Sequence, residues 1–281
     1  MLRLEDVRKQ YKDFKLCVSM EVKPGYITGL IGRNGAGKTT AFKAALGLIY
    51  ADSGTITVLG KPIASLCQED REDIGVVLAD SGFSGYLSIQ DLVPVLKHLY
   101  KRFDKEIIKK KCEEASLPVD KKIKDFSTGM KRKLQIIAAV SHDARLLVLD
   151  EPTSGMDIVA REEFLDLIRE YMEKEGRAVL ISSHISGDLE KICDDIYMID
   201  KGEVTLHEET DVLLDAYGVL KATDAQYQEL DKSYILCSRK ERYGYSCLTK
   251  ERQFYMENYP EVVIEKGTVD EIIKMMSGGE A

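Results

Sequence analysis

Apolar residues along this chain come in two patterns. Short unbroken runs mark strands buried on both faces, and runs at three- to four-residue spacing mark helices with one buried side. Residues 1–25 read as short strands separated by a turn at Lys12 and Asp13. An apolar run at 26–31, a glycine-rich loop and helical spacing over 41–46 follow, ending near Gly47. Residues 54–60 are β-rich with glycines at both ends, and 74–78 form another buried strand. Residues 91–100 and 105–114 then show helical spacing with many charges. They predict a helical subdomain over about 83–125, inserted between strands.

The strand–helix alternation then resumes. An amphipathic helix over 130–140 leads to the strand 146–150, which ends in a carboxylate. A helix over 158–174 stops at Gly176, and a strand follows at 178–182. Residues 196–200 and 203–206 make a hairpin around Lys201 and Gly202. This order predicts an α/β fold with a mainly parallel sheet and ligands at the strand C-termini. From 216 onward the pattern does not repeat. Strand segments at 234–237, 246–248 and 262–264, then a helix over 269–276 capped by Thr268, predict a small α+β appendix. Residues 277–281 read as a frayed end. The expected organisation is a main domain, 1–215, and the appendix, 216–281.

Composition narrows the class. The 281 residues are 44% hydrophobic and 31% charged, as in a globular protein with a sizeable core. A net charge of −8 argues against a dedicated nucleic-acid binder, and the lysines of the helical insertion read as a solvated face. Six cysteines without a C-x-x-C pair signal no zinc or thioredoxin motif and fit reduced thiols of a cytosolic chain. Residues 1–6 lack the apolar stretch of a signal peptide, and no apolar run is long enough to span a bilayer. Work at a membrane would therefore go through a partner.

The strongest chemical signal is the loop Gly32, Arg33, Asn34, Gly35, Ala36, Gly37, Lys38, Thr39, Thr40, which satisfies G-x-x-x-x-G-K-[ST]. Its glycines let backbone N–H groups converge on phosphates, at the N-terminus of a helix that favours anions. Lys38 supplies a point charge for the β- and γ-phosphates, and the Thr39 hydroxyl can hold Mg²⁺. The expected ligand is a nucleoside triphosphate. Asp150, at a strand tip, is a Mg²⁺ partner, directly or through water, and Glu151 can orient or deprotonate the attacking water. Alone, that pair could be an ordinary strand terminus at the surface. Ser127 to Lys131 opens a helix, where Ser127 is either a simple cap or part of a second anion site.

These segments carry a resemblance. The P-loop, Ser127-Thr128-Gly129-Met130-Lys131, the run 147–153 with Asp150 and Glu151, Ser154-Gly155-Met156-Asp157, and Ser182-Ser183-His184 resemble, in order and spacing, the ATP-binding subunit of an ABC transporter. The resemblance covers about residues 1–215. The Ser-Thr-Gly-Met form and the short helical insertion are similar to the ABC-2 type, exporter-like group.

The resemblance implies a P-loop NTPase fold with an antiparallel β subdomain beside the parallel sheet. It implies Mg-dependent hydrolysis of ATP in a sandwich of two subunits, a homodimer or a pair of close paralogues. Tyr11 would stack on adenine; as a residue it is also an ordinary half-buried strand aromatic. Gly35, Gly37, Lys38, Thr39 and Thr40 would hold the phosphates and Mg²⁺. Ser127 and Gly129 would reach the γ-phosphate across the interface, and Asp157 would lie in the loop linking the two sites. His184 would contact the γ-phosphate, with Glu151 as the base; His98, His142 and His207 match no such position. The partners implied are a second ATPase subunit and a separate transmembrane permease, with the chain peripheral on the cytoplasmic face. The sequence departs from the family where a glutamine usually follows the strand 74–78. Ala79 and Asp80 stand there, making Asp80 a candidate substitute metal ligand. A free-standing ABC-type ATPase or an ATP-sensing module is the competing expectation.

Overall fold

The computed structural model describes residues 1–277. Its first strands alternate buried and exposed side chains, as a half-buried antiparallel layer requires. β1 (Leu2–Gln10) and β2 (Lys15–Val22) pair antiparallel across the turn at 11–14. β3 (Ile27–Ile31) is buried at every position, and α1 (Lys38–Ala45) starts directly after the glycine loop. β4 (Ser53–Val58) and β5 (Lys61–Pro62) extend the antiparallel layer, and α2 (Gln68–Arg71) leads to β6 (Ile74–Val77).

The charged insertion folds into α3 (Ile89–Leu99) and α4 (Lys105–Glu114). Ser88 caps α3 in a box with Asp91, and the Asp104 carboxylate caps α4 by accepting from the N–H groups of Glu106 and Ile107. Their apolar faces (Leu92, Leu96, Ile108, Cys112) close on Leu134 and Ile137 of α5 (Thr128–Val140), so the insertion shares its core with the helix that follows it. Next come β7 (Leu146–Asp150), α6 (Ile158–Met172), β8 (Ala178–Ser183) and α7 (Ser186–Glu190). The hairpin of β9 (Asp195–Asp200) and β10 (Glu203–Glu209) turns on Lys201 and Gly202, both at positive φ, and α8 (Thr210–Asp215) follows.

Among the described residues these strands form one ten-stranded sheet, ordered β5-β4-β1-β2-β10-β9-β3-β8-β7-β6. The half from β9 to β6 is parallel throughout. The antiparallel β subdomain joins it through a single parallel pair, Glu203 with Cys17. Leu147, Leu149, Val179 and Ile181 point into one core, and Leu146, Val148, Ala178 and Leu180 into the other. The alternate side chains of β7 and β8 therefore anchor both faces, which explains their unbroken apolar sequence. β3 lies between β8 and β9, with β7 beside β8. The phosphate-loop candidate, His184 and Asp150 are thus brought to neighbouring strand tips.

The appendix contains β11 (Gly218–Ala222), α9 (Asp224–Glu229), β12 (Ile235–Glu241), β13 (Gly244–Thr249), α10 (Arg252–Asn258), β14 (Val263–Lys266) and α11 (Val269–Met276). Its strands make an antiparallel sheet, β12-β13-β11-β14. Thr268 and Glu271 form the capping box at α11. One small core (Leu220, Cys247, Tyr255) belongs to the appendix alone. Val219, Leu248, Val269, Ile272 and Met275, however, join the same core as Met198 and Leu213. Residues 278–281, most of the segment expected to fray, lie outside the described residues. No helix among the described residues is long and apolar enough to cross a membrane. Burial pushes the Cys112 and Cys247 thiols up to about 11, so both stay protonated at neutral pH.

Because Ile272 is 1% exposed within the shared core, Ile272→Ala is expected to destabilise the whole chain by about 2–5 kcal/mol. Urea melts followed by far-UV circular dichroism should show one transition displaced to lower denaturant. Two separated transitions would mean that the appendix folds by itself.

Candidate active site

The loop between β3 and α1 owes its course to glycine. Gly35 and Gly37 have φ of 83° and 113°, a region that L side chains rarely adopt. A Cβ at Gly32 would stand 2.2 Å from the Ile199 carbonyl oxygen, so the loop can lie this close to β9 only without a side chain there. The Lys38 ammonium donates to the Gly32 carbonyl at 2.7 Å and stands 3.4 Å from Glu151 Oε1. The Thr39 hydroxyl donates to Asp150 Oδ2 at 2.7 Å, and Ser182 Oγ donates to Asp150 Oδ1 at 2.6 Å. Ser182 Oγ also accepts from the Glu151 N–H at 3.0 Å. His184 Nδ1 lies 2.5 Å from Glu151 Oε2, and its backbone N–H donates to the same oxygen at 3.1 Å. Lys38, Thr39, Asp150, Glu151, Ser182 and His184 thus form one connected network. Glu151 holds φ at 50°, a backbone conformation that costs on the order of 1–3 kcal/mol and concentrates at functional sites.

This network opens on a cleft of about 480 Å³ lined by the loop (Arg33, Asn34, Gly35, Gly37, Lys38, Thr39, Thr40), Glu151 and His184, with Phe14, Ala79, Arg132 and Ser154. Gly32 and Ala36 are buried behind it, and Asp150, fully buried, reaches it through Thr39. The adenine-stacking expectation fell on Tyr11. The cleft side is instead lined by Phe14, with the half-exposed Tyr11 ring 6.3 Å away, centre to centre. Phe14 carried no motif; its only signal was an aromatic just before the strand that feeds the loop. Arg132 was also missed, since charge alone marks any helix surface. It is 8% exposed and donates to the carbonyls of Leu78 and Ala79 at 3.0 and 3.4 Å.

Asp80 departs from the expected metal position. Its carboxylate accepts from Lys43 Nζ at 2.7 Å and is not part of the cleft lining. The chain turns away after β6 because Ser81 Oγ bonds both the N–H and the carbonyl of Leu78. Lys43, on the last turn of α1, then offers the nearest opposite charge. That hydrogen bond holds the Asp80 carboxyl below, and the Lys43 ammonium above, their ordinary ranges.

Ser127, Gly129 and Asp157 also lie outside the cleft lining. Ser127 caps α5 by accepting from the Met130 N–H, and Asp157 caps α6 by accepting from the Ala160 N–H. The two caps adjoin: a Cβ at Gly129 would stand 3.3 Å from the Gly155 carbonyl oxygen, and one at Gly155 3.0 Å from Thr128 Cγ2. One chain therefore presents two separate constellations, the cleft and this paired-cap surface.

No cluster of three or more His, Cys, Asp or Glu side chains able to hold a metal occurs among the described residues. One hydroxyl and one carboxylate, Thr39 and Asp150, are a poor cage for a resident ion. They do suit Mg²⁺, which keeps several waters and takes its remaining oxygens from substrate phosphates.

Comparisons with known proteins identify the family. The family described as ABC transporter matches residues 17–154. An uncharacterised ABC transporter ATP-binding protein, YdbJ of Bacillus subtilis, is 34% identical over 66% of this chain and 61% of its own length. The Nod factor export ATP-binding protein I of Burkholderia orbicola is 35% identical over 70% of this chain and 67% of its own. The bacitracin transport ATP-binding protein BcrA of Enterococcus faecalis is 30% identical over 83% of this chain and 75% of its own. Among solved structures, an ATP-binding subunit of an ABC transporter superposes with a TM-score of 0.69 at 25% identity, covering 76% of this chain and 91% of that one. The fold is also that of the dimeric ATP-binding cassette MJ0796 bound to ADP and Pi, with a TM-score of 0.66 at 21% identity, over 75% of this chain and 99% of that one.

The loop geometry separates two substitutions. Gly35→Ala meets no neighbour and only strains φ, at a cost of about 1 kcal/mol or slightly more. Gly32→Ala drives a methyl into the β9 backbone and is expected to cost at least about 2–3 kcal/mol. Chemical denaturation of the two variants should rank them in that order; equal stability would refute the close approach of loop and β9.

Proposed function

The chain belongs to the family of ABC transporter ATP-binding proteins, and on that premise we propose that it is the Mg-dependent ATPase subunit of an exporter. In this reading two such chains clamp ATP between them and drive a separate transmembrane permease from its cytoplasmic face. The observation that carries the proposal is the connected network of Lys38, Thr39, Asp150, Glu151 and His184 at adjoining strand tips beside a glycine-shaped loop. The export direction rests on the relatives named for Nod factor export.

Each residue then has a role that its surroundings support. The loop N–H groups and the start of α1 receive the phosphates. The triphosphate competes with Glu151 for the Lys38 ammonium, which turns Lys38 to the phosphates and leaves the carboxylate to its other neighbours. Thr39 and Asp150 hold Mg²⁺, which when bound neutralises charge developing on the phosphate oxygens. Glu151, fixed through Ser182 and His184, orients the attacking water and accepts its proton. His184, half exposed beside Glu151, faces the γ-phosphate side of the cleft. Ser127 and Gly129 serve the nucleotide of the second chain and Asp157 lies in the loop linking the two sites, which accounts for a paired-cap surface outside the cleft. Several charge-assisted hydrogen bonds of roughly 1.5–3 kcal/mol each across that junction favour closure while the γ-phosphate is present. Its loss removes their target and favours opening.

Lys38→Ala is expected to weaken ATP binding by about two orders of magnitude through loss of a charge-assisted contact and the positive cleft charge. Unchanged affinity in a nucleotide titration would remove the P-loop assignment. Glu151→Gln should bind ATP with near-normal affinity while turnover falls by a factor of roughly 10²–10⁴. With Mg²⁺ and ATP this variant should elute as a dimer in size-exclusion chromatography. Normal turnover would dismiss Glu151 as the base, and a monomer would count against the shared site. Purification with candidate membrane proteins tests the partner: failure of any to stimulate the ATPase would favour a free-standing enzyme.

A further inference from the structure

The motifs leave one cation of the cleft unexplained. Arg132, five residues after the cap Ser127 on α5, is 8% exposed yet lines the cleft with Lys38, Thr39 and Glu151. Its Nη1 donates to the Leu78 carbonyl and to Gln135 Oε1, both at 3.0 Å, and Nη2 reaches the Ala79 carbonyl at 3.4 Å. All three acceptors are neutral, and no ion pair among the described residues includes this guanidinium. Burial holds its pKa below the ordinary value, with Asp150 and Glu151 opposing that effect from a distance. Buried charges are ordinarily paired, because desolvation without a counter-charge is unfavourable. A nearly buried arginine that faces the cleft beside the glycine loop with neutral hydrogen-bond partners is therefore short of an anion.

Resting on the ATPase reading above, we propose that Arg132 contacts the terminal phosphate of ATP bound to its own chain and relays that contact to residues 78–82. The relay is built into the hydrogen bonds. Ala79 lines the cleft, and its carbonyl is held by the longest of the Arg132 contacts, the first to yield when the guanidinium turns to a phosphate. Gln135, one turn further along α5, holds the same segment by donating to the Ser81 carbonyl at 2.6 Å. The segment is therefore suspended from α5 by two side chains, only one of which faces the cleft. α5 also begins at Ser127, about 7–8 Å along the helix axis from Arg132. A single rigid helix thus joins the chain's own cleft to the surface proposed to serve the second nucleotide. Arginine suits this role because one planar fork can bridge a phosphate and a carbonyl at once.

The test compares ADP with a non-hydrolysable β,γ-imido analogue of ATP, each with Mg²⁺, by calorimetric titration of the full chain. Arg132→Met should weaken the analogue about tenfold, the worth of one charge-assisted bond, and ADP by no more than about twofold. Arg132→Lys, which keeps the charge but loses the fork, should fall between. In wild type the analogue, but not ADP, should change amide hydrogen exchange over 78–82, and Arg132→Met should abolish that difference. Equal weakening for both nucleotides, or for neither, would overturn the proposal and leave a merely structural arginine. If Arg132→Met does not fold, Arg132→Gln carries the same comparison. Failure of the wild type to bind either nucleotide would instead defeat the ATPase reading on which the proposal rests.

Discussion

The cleft end of the sheet depends on one fully buried carboxylate. Asp150 has no solvent exposure, and burying a lone carboxylate is prohibitive unless hydrogen bonds replace its water. Thr39 on α1 and Ser182 on β8 supply those bonds, one to each oxygen. The requirement to satisfy Asp150 therefore fixes the register of α1 against the tips of β7 and β8. Lys38, one residue earlier, and His184, two residues later, inherit their positions. Glu151 inherits its own less comfortably: Ser182 holds its N–H while φ sits at 50°. The strain is offset by a core in which β7 and β8 are buried at every position, and such a core leaves the strand tips little freedom to relax.

Much of this was legible in the sequence, and the exceptions are informative. Patterning predicted the elements that carry the cleft, because strands buried on both faces must be apolar throughout and helices must keep one apolar side. The P-loop was readable because each glycine answers a local demand: positive φ at Gly35 and Gly37, close approach at Gly32. The helix over 269–276 was readable from Thr268, whose partner Glu271 completes a local motif. What could not be read was non-local. Phe14 reaches the cleft because the β1–β2 turn folds over the loop: a Cβ on Gly37 would lie 2.9 Å from the Phe14 ring. Asp80 belongs to Lys43 because Ser81 turns the chain, a competition between partners that residue type does not disclose. Arg132 is buried on a helix whose neighbouring positions, Lys131 and Lys133, are more solvent-accessible.

The boundary expected near 216 marks a change of pattern but not a break in packing. A segment with its own sheet and its own small core would ordinarily fold and move alone. Here Ile272 and Met275 share a core with Met198 and Leu213. The N–H of Val269 also donates to Glu190 of α7 at 2.9 Å. α7 begins two residues after His184, so α11 is braced against the segment that follows the histidine.

That bracing has a consequence at the P-loop itself. Arg33 lines the cleft beside the glycine loop and also a second opening of about 450 Å³ bounded by Arg239 of β12 and by Asp270, Ile273 and Lys274 of α11. The same loop residue thus borders the appendix on one side and the cleft on the other. In a close-packed interior, displacements are transmitted rather than absorbed. α11 packs on α7, β12 and β13 and shares the core that holds Met198; the next residue along β9, Ile199, has the carbonyl that tolerates no side chain at Gly32. The appendix therefore shares a core with the strand against which the glycine loop lies, and it borders the same opening as Arg33.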